Sequence, residues 1–346
     1  MEVVQDVVIV GAGISGLTTS LGLHRLGIRS LVLESSDSLR ATGFAFTTWT
    51  NAWRALDAIG IGDYLRQQHE TLLGNVVSSR ISGLQTFEMS FKEKGKHGDH
   101  EIRCVKRKLL LESLALRNQF EENLGSSLAS LYRKICHSRS GVIPCDDKNV
   151  YWYFTWSPSS QERELEKNPV QFKQYILTKL GKVPDEVRAV MENTVLDAFI
   201  SSPLRYRHPW EILWGNISKG NVCVAGDALH PMTPDLGQGG CAALEDGVVL
   251  ARCLGEALLK NRRQEIRNES EEGKDEYKRI EIGLNKYASE RKWRSFDLIS
   301  TAYVVGSIQE ADGKIMTFLR DKFFSPILAG LLLKKADYDC GNLRSS

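Results

Sequence analysis

No stretch of this 346-residue chain stays apolar for the roughly 20 residues that a bilayer-crossing helix needs. No signal peptide is expected either: the first apolar run, residues 6–10, is too short and leads directly into glycines. Charge of one sign is also scarce. The formal net charge is only +2, which leaves no basic footprint for nucleic acid. The seven cysteines, at 104, 136, 145, 223, 241, 253 and 340, form no CxxC pair, and their odd number argues against a disulfide framework. No metal-ligating set stands out. Reduced thiols in an intracellular, cytoplasmic setting are the expectation. Two sequons, Asn216-Ile217-Ser218 and Asn268-Glu269-Ser270, do not by themselves point to secretion. What is present is ordinary for a soluble protein: 42% hydrophobic and 25% charged residues, enough to bury a core in two lobes.

The chain is organised around its start. Asp6-Val7-Val8-Ile9-Val10 is rich in β-branched residues and reads as a buried strand. The loop Gly11-Ala12-Gly13-Ile14-Ser15-Gly16 follows, then helical periodicity from Leu17 to Leu26, closed by Gly27, then a second strand over Ser30–Glu34. This is a βαβ unit with a dinucleotide fingerprint. Gly11 permits a tight turn, Gly13 lets backbone approach a pyrophosphate, and Gly16 lets helix and strand pack closely. The helix N-terminus offers unpaired N–H groups to phosphate. Glu34, ending the second strand, suits the hydroxyls of an adenosine ribose. The fingerprint does not separate NAD from FAD.

A second glycine-rich strand-to-helix turn lies far downstream. Asn221–Ala225 reads as a buried strand ending in Gly226-Asp227-Ala228-Leu229-His230-Pro231. Pro234-Asp235-Leu236-Gly237-Gln238-Gly239-Gly240 then opens a long helix. Asp227 at the sheet edge suits a hydroxyl-rich ribityl chain. The N–H groups of the Gly237–Gly240 turn can stabilise negative charge on the pyrimidine end of a reduced flavin. His230 is expected to cap or pack, and Asp246 to hydrogen-bond nearby backbone.

Between the turns, Asn51–Ile59 reads as a helix and residues 76–91 as strands of a second lobe. Residues 92–100 read as a turn, and Ile102–Arg107 leads into a further helix. Residues 140–144 and 150–156 make a hairpin through Asp146-Asp147-Lys148-Asn149. Its two aromatic faces, Tyr151 with Tyr153 and Trp152 with Phe154 and Trp156, either line a pocket or lie under helices. Helices are expected over 172–180, 185–193 and 287–308, and a solvated loop over 261–279. Ile327–Leu333 is the most lipophilic segment. Packing on its own domain is favoured there over peripheral membrane contact.

Together, GxGxxG near the start and the pattern GDAxHxxxPxxGxGxxxxxED, read here from Gly226 to Glu245-Asp246, resemble the group A FAD-dependent monooxygenases, the aromatic hydroxylase superfamily. The stretches 45–56, 142–156 and 336–343 look closest to plant monooxygenases akin to zeaxanthin epoxidase and salicylate hydroxylase. The resemblance implies an α/β fold with a Rossmann-like FAD-binding domain of the glutathione-reductase type, a smaller β-sheet substrate domain and C-terminal helices. Residues 1–66 and 213–260 would form the two parts of the FAD domain. Residues 67–103 and 139–212 would form the substrate domain, 104–138 an FAD-contacting helix with an atypical segment, and 261–346 a charged linker and C-terminal helices. It also implies FAD contacts from Gly11, Ala12, Gly13, Ile14, Ser15, Gly16, Glu34, Arg40, Arg107, Gly226, Asp227, Pro234, Gly237, Gln238, Gly239 and Gly240. No catalytic side chain is implied. NAD(P)H would act as a transient reductant, and a flavin C4a-hydroperoxide would deliver oxygen from O2 to a small apolar or aromatic substrate. Members of this family carry a long segment, with a strand, a small β-meander and an Asp-Gly motif, where this chain has only Arg117–Ser138. A shortened form with weak FAD binding, or a flavin oxidase or dehydrogenase on the same scaffold, are the alternatives.

Overall fold

The computed structural model describes residues 6–37, 39, 44–78, 84–116, 140–156, 159–259, 269–310 and 325–343. Its start is the expected βαβ unit: β1 (Val7–Val10), α1 (Ile14–Arg25) and β2 (Ser30–Leu33), with β1 and β2 parallel and Val7 opposite Ser30. Gly16 has no alternative, because a Cβ there would lie 2.1 Å from the Gly11 carbonyl oxygen. Gly11 itself has φ +106°, a conformation that L side chains rarely adopt.

β3 (Ala45–Thr48) leads into α2 (Thr50–Ala58) and α3 (Gly62–Gln68). β4 (Gly74–Ser78) and β5 (Gln85–Ser90) pair antiparallel, and the expected turn over 92–100 contains a small hairpin, β6 (Lys94–Gly95) and β7 (Gly98–Asp99). β8 (Arg103–Lys106) returns antiparallel to β3 and runs straight into α4 (Arg107–Leu116). The hairpin β9 (Ser140–Pro144) and β10 (Val150–Phe154) closes where Cys145 N–H donates to the Asn149 carbonyl and Asp146 Oδ1 accepts from the Lys148 and Asn149 amides. Then come α5 (Ser160–Glu164), α6 (Pro169–Lys179), α7 (Asp185–Glu192), α8 (Pro209–Trp214), the short pair β11 (Ser218–Lys219) and β12 (Val222–Cys223), and α9 (Gly239–Leu259). α10 (Glu269–Glu310) and α11 (Ser325–Ala336) end the chain.

One main core joins α1, α2, α4, α9 and the first strands, with Leu23, Trp53, Leu56, Leu110 and Leu244 among its buried residues. α1 and α9 approach closely through glycines. A Cβ on Gly247 would sit 2.5 Å from the Thr18 side chain, and one on Gly22 would sit 2.7 Å from Ala251. A second cluster, Val142, Leu180, Val187 and Met191, packs on Trp152 and Phe154. Tyr151 and Tyr153 pack against the main core instead. Both aromatic faces of the β9–β10 hairpin are therefore covered surfaces. α11 also packs on its own chain, through buried Leu333 and Ala336. Among the described residues no helix is long and apolar enough to cross a membrane.

Three expectations need correction. The strand expected over Asn221–Ala225 is only Val222–Cys223, paired among the described residues with β11, and Val222 is exposed. The stretch expected as a solvated loop is helical from Glu269 onward, because its Glu, Lys and Arg residues are good helix formers. And β1 is buried on one side only: Val8 is 57% and Val10 86% exposed, with Leu31 and Leu33 beside them on the same face. Val7, Ile9 and Val32 on the opposite face pack against the core. Parallel sheets ordinarily have both faces covered. The Arg117–Ser138 segment, Arg40 and the Ala41–Gly43 part of its loop lie outside the described residues.

Candidate active site

The first turn presents an open cradle. Gly13 is the N-cap of α1 and has no side chain to satisfy the helix's free N–H groups, and α1 carries no acidic residue in its first turn. A Cβ on Gly13 would meet nothing within 4 Å, so this side of the turn is open. Glu34 braces the turn. Its Oε2 accepts the Ala12 N–H at 2.8 Å and its Oε1 the Ser36 N–H at 3.0 Å, while the Gly11 N–H donates to the Leu33 carbonyl at 2.7 Å.

The second turn meets the first directly. Gly226 has φ +61°, and a Cβ there would lie 3.0 Å from the Ser15 Cβ at the start of α1. Asp227, next in sequence, is exposed at this junction. A short 3-10 turn, Pro234–Leu236, ends at Gly237 in the left-handed region, φ +59°. A Cβ on Gly237 would sit 3.1 Å from Trp49 Nε1, and one on Gly240 would sit 2.6 Å from the Phe46 ring. β3 and the residue before α2 therefore bracket the Gly237–Gly240 end, which opens α9. Arg107 begins α4, its N–H donating to the Phe44 carbonyl at 3.0 Å.

Several polar atoms around these turns are buried without a protein partner: Ser15 Oγ, Trp49 Nε1, Arg107 Nε and Gln238 Nε2. Such groups are costly to leave unpaired. Together with the open N-terminus of α1, they fit a large polar ligand with phosphates and hydrogen-bonding ring edges. An FAD is such a ligand.

Beneath the cradle lies a fully buried ion network that the sequence pattern did not reveal. Glu245 and Asp246 of α9 face Arg291 of α10, and all three are shielded from solvent. Arg291 Nε donates to Asp246 Oδ1 at 2.6 Å, Nη1 to Glu245 Oε2 at 2.7 Å, and Nη2 to the Ala242 carbonyl at 3.2 Å. Arg294 adds a bond to Glu245 Oε1 at 2.7 Å. Asp246 Oδ2 accepts the Gly226 N–H at 2.6 Å and lies 2.7 Å from His230 Nε2. Burial opposes ionisation of Glu245, but the charges of Arg294 and Arg291 and bonds from Arg294 and Asn51 outweigh it and hold the carboxyl down at about 2. Burial likewise opposes ionisation of Asp246, and its interactions with His230 and Arg291 lower it to about 2. An ionised Asp246 is an acceptor only, so His230 carries its proton on Nε2 toward it. His230 thus holds the Gly226 turn rather than facing solvent, as the sequence led us to expect. Tyr338 closes the network from outside: its ring lies 4.5 Å from the Arg294 guanidinium carbon and 5.4 Å from that of Arg291.

The fold is therefore an α/β FAD-binding fold with a Rossmann-like first unit, small β-sheets and C-terminal helices. A family model for FAD binding domains matches residues 118–276, and one for FAD dependent oxidoreductases matches residues 6–168. Monooxygenase 2 of Arabidopsis thaliana is 46% identical over 406 residues, covering 98% of both chains. Monooxygenase 1 of the same plant is 29% identical, covering 97% of this chain and 99% of that one. Among solved structures, Klebsiella pneumoniae HpxO complexed with FAD and uric acid superposes with a TM-score of 0.68 at 18% identity over 97% of each chain. Pseudomonas aeruginosa PqsL superposes with a TM-score of 0.65 at 18% identity, over 92% of this chain. The chain belongs to the group A FAD-dependent monooxygenases, related to plant and bacterial members, and is an oxidoreductase acting on small substrates with O2. An alignment of 406 residues onto a chain of 346 leaves at least 60 positions of the alignment that this chain does not fill.

Proposed function

We propose that the two glycine turns hold a single FAD and that the chain, with NAD(P)H as transient reductant, hydroxylates or epoxidises a small apolar or aromatic substrate. The observation that carries this reading is the contact of Gly226 with Ser15, which joins the downstream turn to the N-terminus of α1. In this reading Gly13 and the α1 N–H groups receive the pyrophosphate, as helix N-termini receive anions generally. Glu34 receives the adenosine ribose, Asp227 the ribityl chain, and the Pro234–Gly240 segment borders the ring. Arg107 supplies a cation from the start of α4. Arg40 belongs to the same set by position in the sequence pattern. When bound, FAD supplies electron carriage and the activation of O2, and the protein contributes orientation and exclusion of water. The division into an FAD domain over residues 1–66 and 213–260, and a substrate domain over 67–103 and 139–212, is part of the same proposal. Within the family we favour the plant branch resembling zeaxanthin epoxidase and salicylate hydroxylase, on the 46% identity to the Arabidopsis protein.

The test is direct. Purified protein, with FAD added, should show a flavin absorbance spectrum and oxidise NADH or NADPH. With candidate aromatic substrates under heavy-isotope O2, label in the product supports a monooxygenase, and label confined to peroxide or water supports an oxidase. Colourless protein that takes up no FAD defeats the proposal. A second reading, a shortened form that binds FAD weakly, is favoured by the bare Val8, Val10, Leu31 and Leu33 face together with the unfilled alignment positions. An FAD dissociation constant far above micromolar would support it.

A further inference from the structure

Asn51 lies outside both glycine turns, near the start of α2, and is fully buried. Its Nδ2 is 2.5 Å from Glu245 Oε1 and 2.8 Å from Gln238 Oε1. Glu245 is clamped by Arg291 and Arg294 and is ionised, so it can only accept. That fixes the Asn51 amide: its NH2 group must face Glu245, because the opposite orientation would set two oxygens against each other. The same NH2 group then faces Gln238, so Gln238 must present its oxygen to Asn51. The Gln238 NH2 group is left pointing away. Gln238 immediately precedes α9 in the Gly237–Gly240 turn, is fully buried, and its Nε2 has no protein partner.

We propose that Asn51 is a positioning residue: it transmits the fixed orientation of Glu245 to Gln238, committing the Gln238 Nε2 hydrogens as donors to the cofactor. The inference rests on the reading that these turns hold FAD. Two amides in series thereby convert a buried carboxylate, which could only repel an electron-rich ring, into a donor of the opposite polarity at the cradle. The amide orientation is set before the cofactor arrives, so no amide flip is needed on binding, although fully buried Gln238 must be uncovered for its Nε2 to be reached. Fixed donors of this kind favour the more negative form of a bound ring, so the relay acts on reduction potential as well as affinity.

The experiment compares wild type, Asn51→Leu, Gln238→Met and the double variant. FAD dissociation constants come from flavin fluorescence titration, midpoint potentials of the bound flavin from dye-coupled reduction, and folding from urea midpoints. Each single variant should weaken FAD about 10-fold, the loss of one buried hydrogen bond, and lower the flavin potential. The double variant should be no weaker than either single one within about 2-fold, because both remove the same donor. Single-variant losses that multiply to about 100-fold in the double variant overturn the relay, as do wild-type affinity and potential in Asn51→Leu. If Asn51→Leu does not fold, Gln238→Met decides alone: unchanged FAD affinity overturns the proposal. Wild-type protein that takes up no FAD overturns the cofactor reading itself, whereas wild-type binding with unaltered variants overturns only the relay.

Discussion

Replacing Arg291 with Met removes what is, among the described residues, the one cation that touches both buried carboxylates. Three hydrogen bonds go with it, at 2.6, 2.7 and 3.2 Å. Neither carboxylate is left bare: Asp246 keeps the Gly226 N–H and His230, and Glu245 keeps Arg294 and Asn51. Breaking a buried ion pair by deleting one partner costs about 3–5 kcal/mol, and the surviving partners place Arg291→Met near the lower end. Arg291→Lys keeps the charge but cannot span both carboxylates, so a loss of about 1–2 kcal/mol is expected. Urea unfolding at pH 7, followed by circular dichroism, reads both. The same variants change the acid limb. Folding holds the Glu245 and Asp246 carboxyls at about 2, below their unfolded values of 4.5 and 3.8. Their depressed values therefore stabilise the folded chain above the unfolded range and lose that contribution as pH falls toward about 2. Without Arg291 both carboxyls rise, and acid unfolding should begin at a higher pH than in wild type. A met variant with the wild-type urea midpoint and an unshifted acid limb would refute this account of the network.

Glycine replacements in the first turn should separate folding from binding. Gly16→Ala drives a Cβ to within 2.1 Å of a backbone oxygen and should destabilise the fold by several kcal/mol, read as a lowered thermal midpoint. Gly13→Ala meets open space, so its thermal midpoint should match wild type while FAD affinity falls. Equal stability losses in both would show that the open side of the turn is misplaced. Gly247→Ala, which presses on Thr18, should loosen the α1–α9 contact and lower the thermal midpoint. Val10→Thr with Leu33→Thr should raise solubility and reduce binding of a hydrophobic dye without loss of stability, since both side chains are exposed. A stability loss beyond about 1 kcal/mol would mean that this face is covered.

The local sequence determined the first βαβ unit, the two glycine turns and most helices, because each is written in short-range terms. A run of β-branched apolar residues, a glycine where φ is positive and an acid at a strand end need no knowledge of the rest of the chain. Resemblance carried the same residues to FAD, and the family membership supports FAD as the cofactor. Arg291, Arg294 and Asn51 were illegible, since a buried arginine reads in sequence like any surface cation on a charged helix. Only the packing of α10 against α9, some 45 residues apart in sequence at the Asp246–Arg291 pair, sets these charges inside the protein. Tertiary structure alone likewise decided that β1 has one bare face. An apolar run specifies that a strand wants covering on both sides, and only the remaining chain determines whether anything arrives to cover it.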